Sequence, residues 1–261
     1  MHPLTLIDPA YVASGCGVGM LVGMTGVGGG SLMTPLLVLL FGVKLSAAVG
    51  TDLLFAAVTK SVGVAVHGRG GSVDWRITGR LALGSLPAAA LTIVVLHMSR
   101  ASGHSTSALI APILGVALVV TGLCLFGRRS LDRFIAARGG NAPTRHPVAA
   151  TVMVGAVIGV LVTVSSVGAG AIGMTALVLI YPRAPLARLV GSDIAHAVPL
   201  TFLAGAGYWY LDLINWQILT SLVIGSIPGV AIGSRLAAAV PDQVLRPVLA
   251  AVLLIVGMRM L

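Results

Sequence analysis

Four ionisable side chains stand inside stretches that are otherwise apolar: Asp52, Lys60, Asp193 and His196. A charge held in hydrocarbon is costly, so such residues are candidates for function wherever they occur. Asp52 lies eight residues before Lys60. On a helix that leaves the two within about 80° of one another and two turns apart. Asp193 lies three residues before His196, so the two are neighbours on one helix face. The four can therefore meet where two parts of the chain pack together. A cation there can hold an anionic solute, and a carboxylate or imidazole can exchange a proton with it. The plainer alternative is a structural ion pair, or carboxylates that complement helix dipoles, because both aspartates fall near the starts of their segments. Thr51 and Ser192 immediately precede the aspartates and add a hydroxyl to each position.

A second pair of motifs is built from small residues. Thr25-Gly26-Val27-Gly28-Gly29-Gly30-Ser31 is echoed by Ser165-Ser166-Val167-Gly168-Ala169-Gly170. Glycine-rich backbone interrupts a helix and exposes N–H groups. Irregular backbone at membrane depth persists only when it is buried in protein or lines a wet cavity. The N-terminus of the half-helix that follows carries partial positive charge and suits an anion. Broken helices at matching places in two repeats point to a transporter's binding site. Close helix packing through small residues is the alternative use. The candidate binding residues are thus Thr25, Gly28, Gly29, Gly30, Ser31, Thr51, Lys60, Ser165, Ser166, Gly168, Gly170, Ser192 and His196, with Asp52 and Asp193 as coupling or ion-pair residues.

The elements that must position these residues are membrane helices. Only 9% of the 261 residues are charged, too few to cover a water-facing surface, and the mean hydropathy is +1.05. Apolar segments run over 11–26, 31–41, 47–66, 77–98 and 108–126, and again over 148–164, 171–181, 189–208, 218–239 and 244–261. Most approach the roughly 20 residues needed to span hydrocarbon, but 31–41 and 171–181 do not. No basic stretch precedes the first segment, which is expected to remain in the mature protein. Residues 1–126 and 148–261 form two membrane halves, joined by a basic linker over 127–147. The net charge of +9 owes much to that linker, with Arg128, Arg129, Arg133, Arg138 and Arg145, so a nucleic-acid partner is not expected. Cys16 and Cys124 make no metal or disulfide pattern, and His67, His97, His104 and His146 lack ligand spacing; no metal or other cofactor is expected.

The halves are repeats. An offset of 140 aligns Gly15 with Gly155, Gly19 with Gly159 and Gly28 with Gly168. An offset of 141 then aligns Gly50 with Gly191, Asp52 with Asp193, Trp75 with Trp216, and Gly84-Ser85-Leu86-Pro87 with Gly225-Ser226-Ile227-Pro228. The prolines in mid-span suggest a packing or hinge role for these last motifs. Lysine and arginine gather on cytoplasmic loops, which places the linker and the Gly68–Arg76 loop inside and the aromatic Trp209–Trp216 loop outside. Corresponding loops then fall on opposite faces. The expected fold is an all-α polytopic membrane protein of two inverted repeats, each a glycine-broken hairpin or half-helix pair plus three full transmembrane helices.

The order Gly26-Val27-Gly28-Gly29-Gly30, Ala48-Val49-Gly50-Thr51-Asp52, Gly71-Ser72-Val73-Asp74-Trp75 and Leu83-Gly84-Ser85-Leu86-Pro87 resembles the TauE/SafE sulfite-exporter family over nearly the whole chain. The resemblance implies a secondary permease for sulfite, sulfonates or related small organic anions. Asp52 and Lys60 depart from the family pattern, as do Gly168-Ala169-Gly170 and Asn215-Trp216 in the second half. The expectation is a multi-pass transporter of the cell inner membrane, working by alternating access on a small anion, with proton or cation coupling and a homodimer open to it. An enzyme is not expected, since Ser165, Ser166 and His196 follow no recognised catalytic spacing. A non-transporting membrane accessory or assembly factor is the alternative.

Overall fold

The computed structural model describes residues 7–25, 30–69, 73–102, 105–137, 146–236 and 242–261. Among the described residues all regular structure is helical. The first half contributes α1 (Pro9–Thr25), α2 (Gly30–Leu39), α3 (Leu45–Arg69), α4 (Trp75–Ala101) and α5 (Thr106–Ala137). The second contributes α6 (Pro147–Ser165), α7 (Ala171–Ile180), α8 (Leu186–Tyr210), α9 (Trp216–Leu236) and α10 (Asp242–Met260). Among the described residues five stretches, in α4, α5, α6, α8 and α9, are long and apolar enough to cross a membrane. The surface of the bundle is apolar as well as its core, and a set of polar groups is buried inside it. Leu83, Leu91, Met153, Phe126 and Phe202 are exposed, while Thr34, Thr51, Asp52, Ser85, Thr163, Ser192 and His196 are buried. Such an outer surface matches lipid.

The short segments turn back. Thr151, one turn into α6, shares a 2.8 Å hydrogen bond with the hydroxyl of Tyr181, just beyond α7. α7 therefore returns to the end at which α6 began, and the two form a hairpin. Its tip is buried, with Ser165 and Val167 at 0% exposure. The turn uses the left-handed region at Ser166 (φ 58°) and at Gly168 (φ 112°), and an L side chain at the latter would be strained. In the first half the ring of Phe41, just beyond α2, lies 4.5 Å from that of Tyr11 in α1. Tyr11 and Phe41 occupy the repeat positions of Thr151 and Tyr181, so the same two places close both hairpins.

Glycines then set how the halves join. A Cβ on Gly84 would stand 1.9 Å from the carbonyl oxygen of Val152, and Cβ atoms on Gly155 and Gly159 would stand 2.3 and 2.4 Å from the carbonyls of Leu81 and Ser85. α4 and α6 thus cross in parallel with their backbones in contact. The same contacts recur one repeat away. Gly225 meets Val12, Gly15 meets Leu222 and Gly19 meets Ser226, joining α9 to α1. Each half donates its first helix to the other half's fourth. Close approach through small residues is how helices bind one another where apolar burial offers no drive.

Equivalent helices run antiparallel where they meet. Gly50 of α3 packs on Tyr208 of α8, and Gly205 packs on Leu54. Gly115 and Gly122 of α5 face Leu261 and Leu254 at the end of α10. Hydrogen bonds seal both ends of the α3–α8 contact. The Thr51 hydroxyl accepts from the Asn215 amide at 3.1 Å, and the Ser192 hydroxyl accepts from the Asp74 amide at 2.8 Å. Asp74 and Asn215 in turn cap α4 and α9, accepting from the amides of Ile77 and Ile218.

Candidate functional site

Thr51 and Ser192 are thereby explained by structure: each hydroxyl anchors the start of a helix from the opposite half. Ser192 also donates to the carbonyl of Arg188, one turn back in α8. Ser165 is likewise engaged, donating to Leu161 and accepting from the Val167 amide, which shapes the hairpin tip. Gly168 supplies the left-handed turn there, and Gly170 precedes the first turn of α7. Gly28 and Gly29 lie outside the described residues, as do the side chains of Thr25 and Ser31. Gly30 opens α2.

Asp52 is fully buried on α3. Thr34 of α2 donates to its Oδ2 at 2.6 Å, so the hairpin of the first half holds one carboxylate oxygen. The Ser166 hydroxyl at the hairpin tip of the second half also acts on the Asp52 carboxyl, and among the described residues Asp52 Oδ1 and Ser166 Oγ make no hydrogen bond of normal geometry. Sequence alone offered Thr34 no distinction; only the return of α2 against α3 brings it to Asp52.

His196 is also fully buried. Its Nε2 shares a 2.7 Å hydrogen bond with the hydroxyl of Ser85 on α4, and its Nδ1 has no hydrogen-bond partner among the described residues. Ser85 belongs to the Gly-Ser-Leu-Pro motif, read above as a packing element. The structure gives it a second duty, holding the imidazole. Its repeat equivalent, Ser226, instead returns its hydroxyl to the carbonyl of Val223 within α9. The position equivalent to His196 is Phe55, so this polar contact belongs to one half only. Replacement of Ser85 by alanine leaves a buried imidazole with neither nitrogen bonded. We expect a loss of about 1–3 kcal/mol in stability, read as a lowered melting temperature in detergent. Ser226→Ala, which strands no other group, should change it far less.

Lys60 is half-buried on α3 and interacts electrostatically with Asp52, Asp193 and His196. In the antiparallel register set by Gly50 against Tyr208 and Gly205 against Leu54, Asp52 and Asp193 stand toward opposite ends of the α3–α8 contact, with Lys60 between them. The aspartates therefore do not share a pocket, as their spacing in sequence allowed; the lysine stands between them along the seam. Asp193 packs on α7, where a Cβ on Gly173 would come 2.4 Å from its Oδ1. The arrangement is a row of polar groups along the seam between the halves, reached by both hairpins. It offers a flexible cation, an unpaired hydroxyl and an imidazole nitrogen, a set able to bind a small anion and to exchange a proton beside it.

A family model described as sulfite exporter TauE/SafE matches residues 11–260. A probable membrane transporter protein of Bacillus subtilis, YjnA, is 35% identical over 253 residues, covering 97% of this chain and 99% of its own. A second from that organism, YdhB, is 24% identical, covering 88% and 90%. A probable membrane transporter protein of Methanocaldococcus jannaschii is 22% identical, covering 98% and 96%. No solved structure matches the chain.

Proposed function

Because the chain belongs to the sulfite exporter TauE/SafE family, we propose that this multi-pass membrane protein is a secondary transporter of a small anion, a sulfur oxyanion or organosulfonate such as sulfite. The observation that carries the anion is Lys60, an ionisable amine in the seam between the halves, set among Asp52, Asp193 and His196. Ser166 Oγ and His196 Nδ1 supply further unpaired hydrogen-bonding atoms in that seam. A sulfonate or sulfite oxygen would take the ammonium as a charge-assisted partner. The hydroxyls of Ser165, Thr51 and Ser192 and the turns at Gly168 and Gly170 shape the walls rather than hold the ligand.

The reading extends to alternating access. Antiparallel contacts between equivalent helices support two inverted repeats, and the parallel glycine crossings pair each first helix with the other half's fourth. Movement of one repeat against the other around the seam would then expose it to each side in turn. Asp52 and Asp193 would carry coupling, each approached by the lysine from one side. The cell inner membrane is the location that suits such a permease.

A thermal-shift screen of the purified protein in detergent tests this. Sulfite, thiosulfate, sulfate, taurine, sulfoacetate, acetate and chloride would be compared at two pH values. A ligand of the folded state raises apparent stability with occupancy, by about 2.7 kcal/mol at a hundredfold excess over Kd. A shift confined to one or two sulfur anions supports the proposal. A folded, monodisperse protein that responds to none of them favours the accessory role instead.

A further inference from the structure

At the end of the bundle where the basic linker joins α5 to α6, the first turns of α4 and α8 enclose a cleft of about 410 Å³ lined by Val73, Asp74, Trp75, Arg76 and Arg188. α4 runs parallel to α6, which places Trp75 at this end. The geometry points to a binding site for the phosphate of an anionic phospholipid headgroup, clamped by Arg76 from one half and Arg188 from the other. This goes beyond the transport seam and does not depend on it.

Four observations converge on that cleft. First, its two guanidinium groups are exposed and come from different helices, whose relative position is fixed by the Ser192–Asp74 hydrogen bond. Guanidinium matches phosphate oxygens in a way that a point charge does not. The neighbouring Arg80 is committed elsewhere, donating to the Tyr181 hydroxyl at 3.1 Å. Asp74 also lines the cleft, but its Oδ1 is bound to the amides of Arg76 and Ile77. Second, Pro185 caps α8 without a side-chain hydrogen bond, and the amides of Leu186 and Ala187 precede the helix's first internal bonds, from Arg188 and Leu189 to the Pro185 carbonyl.

Third, the cleft borders an exposed apolar face of α4. Below Arg76 on the same face of α4 stand Gly79, Leu83 and Pro87, all exposed. Nothing lies within 4 Å of where a Cβ on Gly79 would be, which leaves room for an acyl chain. Leu186 is exposed beside Arg188, and the Trp75 indole is 68% exposed at the rim, as suits a membrane–water boundary. A soluble anion would have no use for that apolar face.

Fourth, the repeat supplies its own comparison. The equivalent place in the other half carries Asn215, Trp216 and Gln217, with Ala47 where Arg188 stands. The tryptophan is retained and both cations are absent. Positive charge is therefore confined to one end of an otherwise duplicated feature. Anionic lipid attracts such basic pockets between transmembrane helices on the cytoplasmic side.

The test is a titration of the intact purified protein with phosphatidylglycerol in neutral detergent, followed by native mass spectrometry, with phosphatidylcholine and glycerol 3-phosphate as comparators. We expect one saturable phosphatidylglycerol per chain, bound at least tenfold more tightly than phosphatidylcholine. Arg76→Gln/Arg188→Gln should weaken it at least tenfold, and Arg76→Lys/Arg188→Lys by less. Lys44→Gln, on the loop between α2 and α3, should leave it unchanged. Both arginines are exposed, so an unchanged melting temperature is expected to accompany the loss. Binding that is unsaturable, or equal in the double glutamine variant, would overturn the proposal and leave the arginines as orientation signals alone. Glycerol 3-phosphate competing as well as the lipid would overturn it in favour of a soluble ligand.

Discussion

Lys60→Ala is expected to lower affinity for the proposed anion about ten- to 150-fold, with the chain still inserted and helical. The estimate takes the loss of one charge-assisted hydrogen bond at about 1.5–3 kcal/mol. Lys60 is the amine common to Asp52, Asp193 and His196, so its removal leaves the seam with its carboxylates and without that amine. Lys60→Arg keeps the charge but not the shape and should retain part of the affinity. The repeat equivalent of Lys60 is Thr201, whose hydroxyl is turned to the carbonyl of Ala197 within its own helix. Thr201→Val therefore serves as the paired control and should leave binding unchanged. Substrate-induced thermal shift and uptake into proteoliposomes would both be measured. Wild-type affinity in Lys60→Ala would take the lysine out of the site, whatever the substrate proves to be.

Gly84→Ala and Gly225→Ala form the second large expectation, this time in stability. Each new methyl would fall about on top of a backbone carbonyl, 1.9 Å from Val152 and 2.0 Å from Val12 respectively. The clash is with main chain, so no rotamer change relieves it, and the crossing must open. Overpacking of this kind costs about 1–3 kcal/mol or more. Gly17 is the internal control, since nothing lies within 4 Å of its Cβ position although it sits on α1 between Gly15 and Gly19. Gly17→Ala should be neutral or mildly stabilising, because alanine costs less backbone entropy in a helix. Detergent melting curves of the three variants decide the matter. Equal melting temperatures would mean that the parallel crossings are not what joins the halves.

The membrane class, the duplication and the two short segments were legible in composition and spacing. Hydrophobic content is a bulk quantity that needs no contacts to read, and a repeat is a property of the string. The pairing of Gly15 with Gly155 and of Gly84 with Gly225 was visible too, though not what the glycines meet. Their use is a contact between each half and the other, and sequence offsets within one half carry no information about it. The same limit applies to Thr51 and Ser192. A hydroxyl beside a buried aspartate reads as a ligand, and only the tertiary structure turns it toward the amide of Asn215 or Asp74.

Helical periodicity did bring Lys60 to the face of Asp52 and His196 to that of Asp193, because that relation is local. Whether the two pairs coincide depended on the register of α3 against α8, which is a matter of packing. The register stands Asp52 and Asp193 apart and leaves Lys60 between them. Thr34 and Ser85 were unreadable for the same reason. A threonine in a short apolar helix and a serine beside a mid-span proline have no local signature of function. They acquire one when the α2 hairpin folds back onto Asp52 and when α4 meets α8 at His196. The sequence by itself determined that polar groups would lie in hydrocarbon, since no other arrangement of so apolar a chain is open to it. Which of them face one another was decided only by the helix crossings, because a buried hydrogen bond is satisfied by whatever neighbour the backbone brings within reach.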